Sequence, residues 1–521
     1  MIKSLANVKK ILFALAACLP ALGALAQTAT TNFLVIHTDE GRVKISRNIY
    51  GQFSEHLGHC IYDGIWVGEN SDIPNTRGIR NDTVEALKKI HVPVIRWPGG
   101  CFADQYHWLD GVGPRDQRPR RINAEWGGVI EDNQFGTHEF LDFCGQIGAS
   151  PYISLNVGSG TVEEMMNWIE YMTAATNSFW SDLRRRNGHP DPWKIPYVGV
   201  GNESWGCGGE MTPEFYSDNF RRYNAFIKNL STNRIYRIAS GSDGGDTNWT
   251  EVLMRNVGTR MNGLSLHYYT LPLGNWSHKG SATQFDEAEW FSTLRNASRM
   301  DEIITRHSAI MDRYDPRHKV GLVVDEWGDW YDVEPGANPS FLFQQNTLRD
   351  ALVAGLTLNI FNNHCARVKM ACIAQLANVL QSMVLTDGSK FTVTPTYWVF
   401  EMYVPHQDAT MLPVDVQSAD YEFNDRTIPT LSASASRDRS GNICVTLCNL
   451  NPNEPAAVSC RLDAALKTIT GRVLTAPEMN AHNTFENPDA VQPATFIDAS
   501  LTADGFTATL PPKSVVALKL Q

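Results

Sequence analysis

After its first 26 residues the sequence has no apolar run long enough to cross a bilayer, so a helical membrane protein is excluded for the bulk of the chain. Basic charge is in deficit, with 45 Lys and Arg against 56 Asp and Glu. The net charge of −11 leaves no electrostatic footprint for nucleic acid. No Gly-x-Gly-x-x-Gly turn follows the first strand-like segment, which removes the specific signal for an open dinucleotide-binding sheet. Internal repeats and low-complexity linkers are missing too. The ten cysteines are scattered, with no zinc quartet and no compact disulfide scaffold among them. Buried free thiols are their default reading.

What is present fits a large globular protein. A length of 521 residues suits one barrel plus an accessory domain. The 14 Trp and 16 Tyr suit stacking against sugars and packing in a large core equally well. At the N-terminus, Lys9 and Lys10 precede ILFALAACLPALGALA, which ends in the small residues Ala24-Leu25-Ala26. Residues 1–26 therefore read as a secretory signal, and the protein is expected to be exported. Leu15-Ala16-Ala17-Cys18 offers a lipoprotein box as the alternative.

Residues 46–406 alternate short apolar segments with helical periodicity. Eight segments read as strands: IYGQF, PVIRW, PYISL, YVGV, RIAS, LSLHY, GLVVD and KMACI. One intervening helix shows the pattern, with Val162, Met165, Met166, Ile169 and Met172 at helical spacing and a Thr161/Glu164 capping box. Eight parallel βα units predict a closed (β/α)₈ TIM barrel, an α/β fold. After residue 407 the pattern changes to period-two alternation broken by Gly, Asn and Pro, which predicts a C-terminal β-sandwich over 407–521. Residues 27–45 read as an N-terminal hairpin expected to join that sandwich.

Two strand-like segments end on acids. YVGVGNESWGCGG runs from Tyr197 to Gly209, and KVGLVVDEWGDWY from Lys319 to Tyr331. In a (β/α)₈ barrel the active site lies at the C-terminal ends of the strands, so Glu203 and Glu326 are placed to face each other. Two opposed carboxyl groups, one protonated and one ionised, are what glycoside hydrolysis requires. A single Glu at a strand end is more often a helix cap or a partner for surface Arg; two at matched ends point to chemistry.

The segments IYGQFSEHLGHCIYDGIW, VIRWPGGCFADQYHWLDGVGPR, NQFGTHEFLDFC, YISLNVGSGT, GVGNESWGCGG, LSLHYY, DEWGDWY, RVKMACIAQLANVL and TPTYWVFEMYVPHQ span almost all of residues 49–406. Together they resemble glycoside hydrolase family 51, the α-L-arabinofuranosidases. The resemblance implies a retaining exo-glycosidase acting on arabinose-containing oligo- or polysaccharide, with Glu203 as general acid/base and Glu326 as nucleophile. It implies that Glu55, Asn202, Tyr269 and Gln375 hold the sugar and that Arg96 sits beside the nucleophile. It implies no metal, no cofactor and a homo-oligomer such as a hexamer. A β-xylosidase or an endo-β-glucanase using the same two Glu, and a binding protein without catalysis, are the competing readings.

Several positions carry alternatives. Arg96 also suits a structural pair with a barrel carboxylate. Tyr268 is the alternative to Tyr269 as the inward tyrosine. His267 is expected to orient its neighbours, since no metal-like partner lies at ligand spacing. Trp327 is expected to wall the pocket, whereas Trp205 suits wall and filler about equally. Cys101 stands where many family members carry a sugar-contacting Asn, and a thiol is a poor partner for a hydroxyl. A Cys60–Cys101 disulfide is a further expectation.

Overall fold

The computed structural model describes residues 32–521. Eight parallel strands close into a barrel: β1 (Gly51–Phe53), β2 (Val94–Trp97), β3 (Ser150–Leu155), β4 (Tyr197–Val200), β5 (Tyr236–Asp243), β6 (Gly263–Thr270), β7 (Gly321–Asp329) and β8 (Val368–Ala374). Each of the eight apolar segments supplies one of them. Such strands are covered on both faces, so their sequences run largely apolar; all of β7 is buried, its acids included. Val94, Tyr152, Ile238, Val323, Met370 and Cys372 fill the interior.

Helices cover the outside. In Val162–Thr173 the Thr161 hydroxyl accepts from the Glu164 amide at 3.1 Å. The reciprocal half of the expected capping box is absent, because the Glu164 carboxylate pairs instead with His107 Nδ1 at 2.9 Å. Met165, Ile169 and Met172 are buried as their spacing predicts. Met166 points outward, and Trp168 and Tyr171 complete the buried stripe.

Two antiparallel-rich sheets form the second unit. One has five strands and the other six, and their facing sides enclose a separate apolar core that includes Leu34, Val445, Phe506 and Leu518. Asn32–Ile36 lies inside the five-stranded sheet, antiparallel to Val414–Gln417 and parallel to Ala456–Leu462. The N-terminal segment thus joins the sandwich as one strand. It does not fold back as a hairpin: after Ile36 only Lys44 regains a bridge, to Thr410. The helix Leu348–Asn363 connects the two units, donating from Asn359 and Asn362 to Ser432 and Ser434 of the six-stranded sheet.

Candidate active site

The rim of the barrel brings together residues that lie far apart in the chain. Glu326 lies within β7, and His267 of β6 is its register partner. Alternation along β6 then puts Tyr269 on the same inward side and Tyr268 on the other. The Tyr269 hydroxyl donates to Glu326 Oε2 at 2.7 Å, while Tyr268 donates to the Asn296 carbonyl. Register shifts interrupt β6–β7 before His267 and β7–β8 between Val324 and Trp327. Bulges of this kind re-aim side chains beside active sites, and here Asp325 and Glu326 both reach groups inside the barrel.

Glu203 lies three residues past β4, in a loop that turns back on itself. Its backbone has φ of 37°, in the left-handed region that strains a residue with a Cβ. The amides of Gly206 and Gly208 donate to its carbonyl and hold the turn. A Cβ on Gly208 would stand 1.9 Å from the Asn202 carbonyl oxygen, so the loop closes only with glycine there. The Gly99–Gly100 pair after β2 has a related cause. A Cβ on Gly99 would stand 2.8 Å from Glu55 Oε1, and one on Gly100 2.8 Å from Glu326 Oε1.

One cation sits at the centre of these acids. Arg96, in β2, is buried and donates from Nη1 to Glu326 Oε1 at 2.8 Å and from Nη2 to Asn202 Oδ1 at 2.5 Å. Its Nε is 3.7 Å from Asp325 Oδ2, and its guanidinium lies over the Phe53 ring at 4.5 Å. His267 is the second cation. Nδ1 stands 2.8 Å from Glu203 Oε1 and 3.6 Å from Glu326 Oε2, and Nε2 stands 3.3 Å from Asp325 Oδ1. Glu55 Oε1 accepts from the Gly100 and Phe102 amides, and its Oε2 accepts from Gln375 Nε2 at 2.9 Å.

Burial and charge divide the carboxyl groups. Burial raises the Glu203 pKa; His267 pulls against that rise and the Glu326 charge adds to it. Burial, then the charge of Glu326, raises Glu55 to about 7. Burial alone would raise Asp325, but Arg96, His267 and Tyr152 hold it below the usual carboxylate range. Burial alone would lower His267; Glu326, Asp325 and Glu203 together bring it to about 10. His267 is therefore an imidazolium at neutral pH.

Of the residues singled out from sequence, Arg96, Asn202, Glu203, His267, Tyr269 and Glu326 are linked in one network; Glu55 and Gln375 pair with each other beside it, within reach of the Glu326 charge. Trp327 is not among them. With Glu326 turned inward, the next residue of the strand turns outward, and Trp327 is buried against Phe361 and Phe400 under the helices. It is core and not a pocket wall. Cys60 is a buried free thiol, and Cys101 is bonded to Cys207 instead. Trp205 borders an open cleft of about 470 Å³ beside Glu203, shared with Tyr268, Trp276 and Trp330.

Two further residues that support the site lie within the quoted segments but were not singled out there. Asp104 accepts from the amides of Val157, Gly158 and Asn202, which clamps the loops after β3 and β4 to the loop after β2. Burial raises its carboxyl to about 7. Tyr152, inward on β3, donates to Asp325 Oδ2 at 2.6 Å. The DEW motif marks Asp325, but only three-dimensional contact reveals its partners.

Two groups of ligand-type atoms come within 4.8 Å of one another among the described residues: Glu203–His267–Glu326 and Cys101–Glu125–Cys207. A metal in the first would have to displace the proton of an imidazolium already paired with carboxylates. In the second, both sulfurs are spent in the disulfide.

Comparison with known proteins agrees with this geometry. Residues 86–289 match the family model for the α-L-arabinofuranosidase 1 domain, and residues 325–514 match the one for the α-L-arabinofuranosidase C-terminal domain. An intracellular exo-α-L-arabinofuranosidase of Bacteroides ovatus is 51% identical over 94% of this chain and 95% of its own. The crystal structure of the GH51 arabinofuranosidase from Xanthomonas axonopodis pv. citri superposes with a TM-score of 0.93 at 51% identity, covering 94% of this chain and all of that one. An α-L-arabinofuranosidase from Thermotoga maritima, in an arabinose complex, gives a TM-score of 0.83 at 32% identity, covering 94% and 99%. The name of the Bacteroides relative overturns the expectation of export, since that enzyme is intracellular. The signal and lipoprotein readings of residues 1–26 lie outside the described residues, among which no helix is long and apolar enough to cross a membrane.

Proposed function

The chain belongs to the α-L-arabinofuranosidases of glycoside hydrolase family 51, and from that premise we propose how its residues divide the work. The enzyme releases terminal α-L-arabinofuranosyl units with retention of configuration, in two displacements. Glu326 attacks the anomeric carbon while Glu203 protonates the departing oxygen. Glu203, now a carboxylate, takes a proton from water, which displaces Glu326 from the sugar.

One observation carries this division: an oxygen of Glu203, an oxygen of Glu326 and a nitrogen of His267 lie within 4.8 Å of one another. Retaining enzymes hold their two carboxyl groups about 5–5.5 Å apart, whereas inverting pairs leave room for a water between them. The environments differ as the chemistry asks. Burial favours the protonated form of Glu203, while Arg96 and Tyr269 each donate to a different oxygen of Glu326.

Glu55, with Gln375 behind it, is assigned to hydroxyls of the furanose ring. Asn202 is assigned to the 2-hydroxyl; its Oδ1 is held by Arg96, and its Nδ2, which meets only Cys207 Sγ at 3.8 Å, is the donor. At Cys101, where many family members carry a sugar-contacting Asn, the bonded sulfur has no hydrogen to offer a hydroxyl, and no sugar contact is assigned to it. The leaving group extends into the tryptophan-lined cleft beside Glu203. We assign the substrates to arabinose side chains of plant hemicellulose or pectin and the active form to a homo-oligomer, which light scattering tests. The relatives at 30% identity or more are arabinofuranosidases and do not favour a β-xylosidase or endo-glucanase reading.

The test is product analysis by NMR on arabinose-decorated oligosaccharides of defined linkage. α-Arabinofuranose as the first-formed sugar is expected. β-Arabinofuranose released first, or an internal cut in the backbone, would refute the scheme.

A further inference from the structure

The disulfide Cys101–Cys207 spans 106 residues and ties the loop after β2 to the loop that carries Glu203. The mechanism above makes no use of it, yet both sulfurs touch the same carboxyl oxygen. Glu203 Oε2 is 3.6 Å from Cys207 Sγ and 3.9 Å from Cys101 Sγ. Oε1 faces the other way, toward His267 at 2.8 Å. One half of this carboxyl group therefore meets a cation, and the other half meets a group without a donor.

The bond is open to attack. Cys207 is exposed and Cys101 half-buried, whereas the other seven cysteines among the described residues are buried free thiols. The site does not need the bond to hold together. Asp104 already joins the same two loops by accepting the Asn202 amide, and Trp205 donates to the Gly241 carbonyl. Opening the bond would change what Glu203 faces without releasing its loop.

We propose that Cys101–Cys207 is a thiol–disulfide control on Glu203: oxidised, it leaves Oε2 without a donor and the proton available to the leaving group; reduced, it presents thiols that hold Glu203 as a carboxylate. A thiolate of an external dithiol attacks Cys207 Sγ and breaks the bond to Cys101, which leaves and takes up a proton. The second thiol of the reagent then displaces Cys207. The reagent ends as a disulfide, and the protein gains two electrons and two protons. The S–H group is a weak donor, so the effect is a retuning of the acid and not its loss. This inference rests on Glu203 being the acid/base.

The experiment compares two leaving groups on the whole protein. One is an alkyl arabinofuranoside, whose departure needs a proton; the other is a 2,4-dinitrophenyl arabinofuranoside, whose departure does not. Treatment with dithiothreitol should add two titratable thiols. It should lower kcat/KM for the alkyl substrate about tenfold more than for the activated one, a fraction of the full value of general acid catalysis. Reoxidation should reverse the change. The Cys101→Ser/Cys207→Ser pair, with hydroxyl donors at both positions, should show the low ratio without reductant and ignore it when added. Equal losses on both substrates, or no loss once the thiols appear, would overturn the proposal. Glu203→Ala, measured on the same two substrates, tests the underlying reading separately: without a leaving-group split there, Glu203 is not the acid.

Discussion

His267 stands between the two acids, its Nδ1 2.8 Å from Glu203 Oε1 and 3.6 Å from Glu326 Oε2. It does no covalent chemistry in the proposed cycle, yet its charge favours the ionised form of Glu203. Replacing it by Ala removes that charge from a buried site. Glu203 should then hold its proton to higher pH, and the alkaline limb of the kcat/KM profile should move upward. The rate at the optimum should fall about 100-fold, within the range for disturbed acid–base catalysis. A fall in rate with an unmoved limb would show that His267 only supports the fold.

The two glutamates can be told apart by the stereochemistry of rescue. With Glu326→Ala, azide would attack the sugar directly and yield the β-azide. With Glu203→Ala, azide would attack the arabinosyl-enzyme and yield the α-azide. The Glu203 variant should lose about 10²- to 10⁴-fold on unactivated substrates, the usual worth of a general acid. NMR of the azide products checks both, and exchanged configurations would exchange the roles.

Arg96 is the structural debt of this arrangement. Its guanidinium is shared among Glu326, Asp325 and Asn202 in the barrel interior. Arg96→Leu would leave buried carboxylates without their partner, which costs about 3–5 kcal/mol where a buried pair is broken from one side. Urea denaturation should show that loss. Arg96→Lys should recover only part of it, because one ammonium cannot reach two carboxylates and an amide at once.

The barrel was legible because its strands are covered on both faces, so eight mostly apolar segments stood out against helical spacing. Glu203 and Glu326 stood out because two carboxylates sat at matched ends of such segments, where a single one would more often cap a helix or meet an Arg. Other features depend on neighbours that sequence does not display. Asp104 lies within a quoted segment, but nothing in its type or position there sets it apart, and its role lies in three amides from two other loops. The partner of Cys101 follows from how the loops after β2 and β4 approach each other, which spacing does not encode. Export was read from composition near the N-terminus alone, and the intracellular relative corrects it.

Trp327 shows how adjacency misleads. It follows the nucleophile in sequence, but the strand turns it away, and its ring lies 5.3 Å from Phe361 and 6.3 Å from Phe400. Trp327→Ala should therefore cost about 3–5 kcal/mol of stability, the usual loss for a large aromatic core residue. Trp327→Phe should restore much of it. Arabinose inhibition should change by no more than about twofold if the ring makes no contact with the sugar. A selective loss of sugar affinity at unchanged stability would return this residue to the pocket.

The charge on His267 also sets an expectation for stability against pH. Its folded-state pKa is about 10, above the ordinary imidazole value of 6.5, because three carboxylates outweigh the cost of burial. A group raised in this way binds its proton more tightly folded than unfolded. Its contribution is complete below about pH 6.5 and is lost as pH rises toward 10. Unfolding free energy measured in urea should therefore decline across that window. In His267→Gln, which cannot be protonated, the decline should be shallower. Equal slopes for the two proteins would mean that the imidazole is neutral in the folded state, and the ion-pair reading of the site would fail with it.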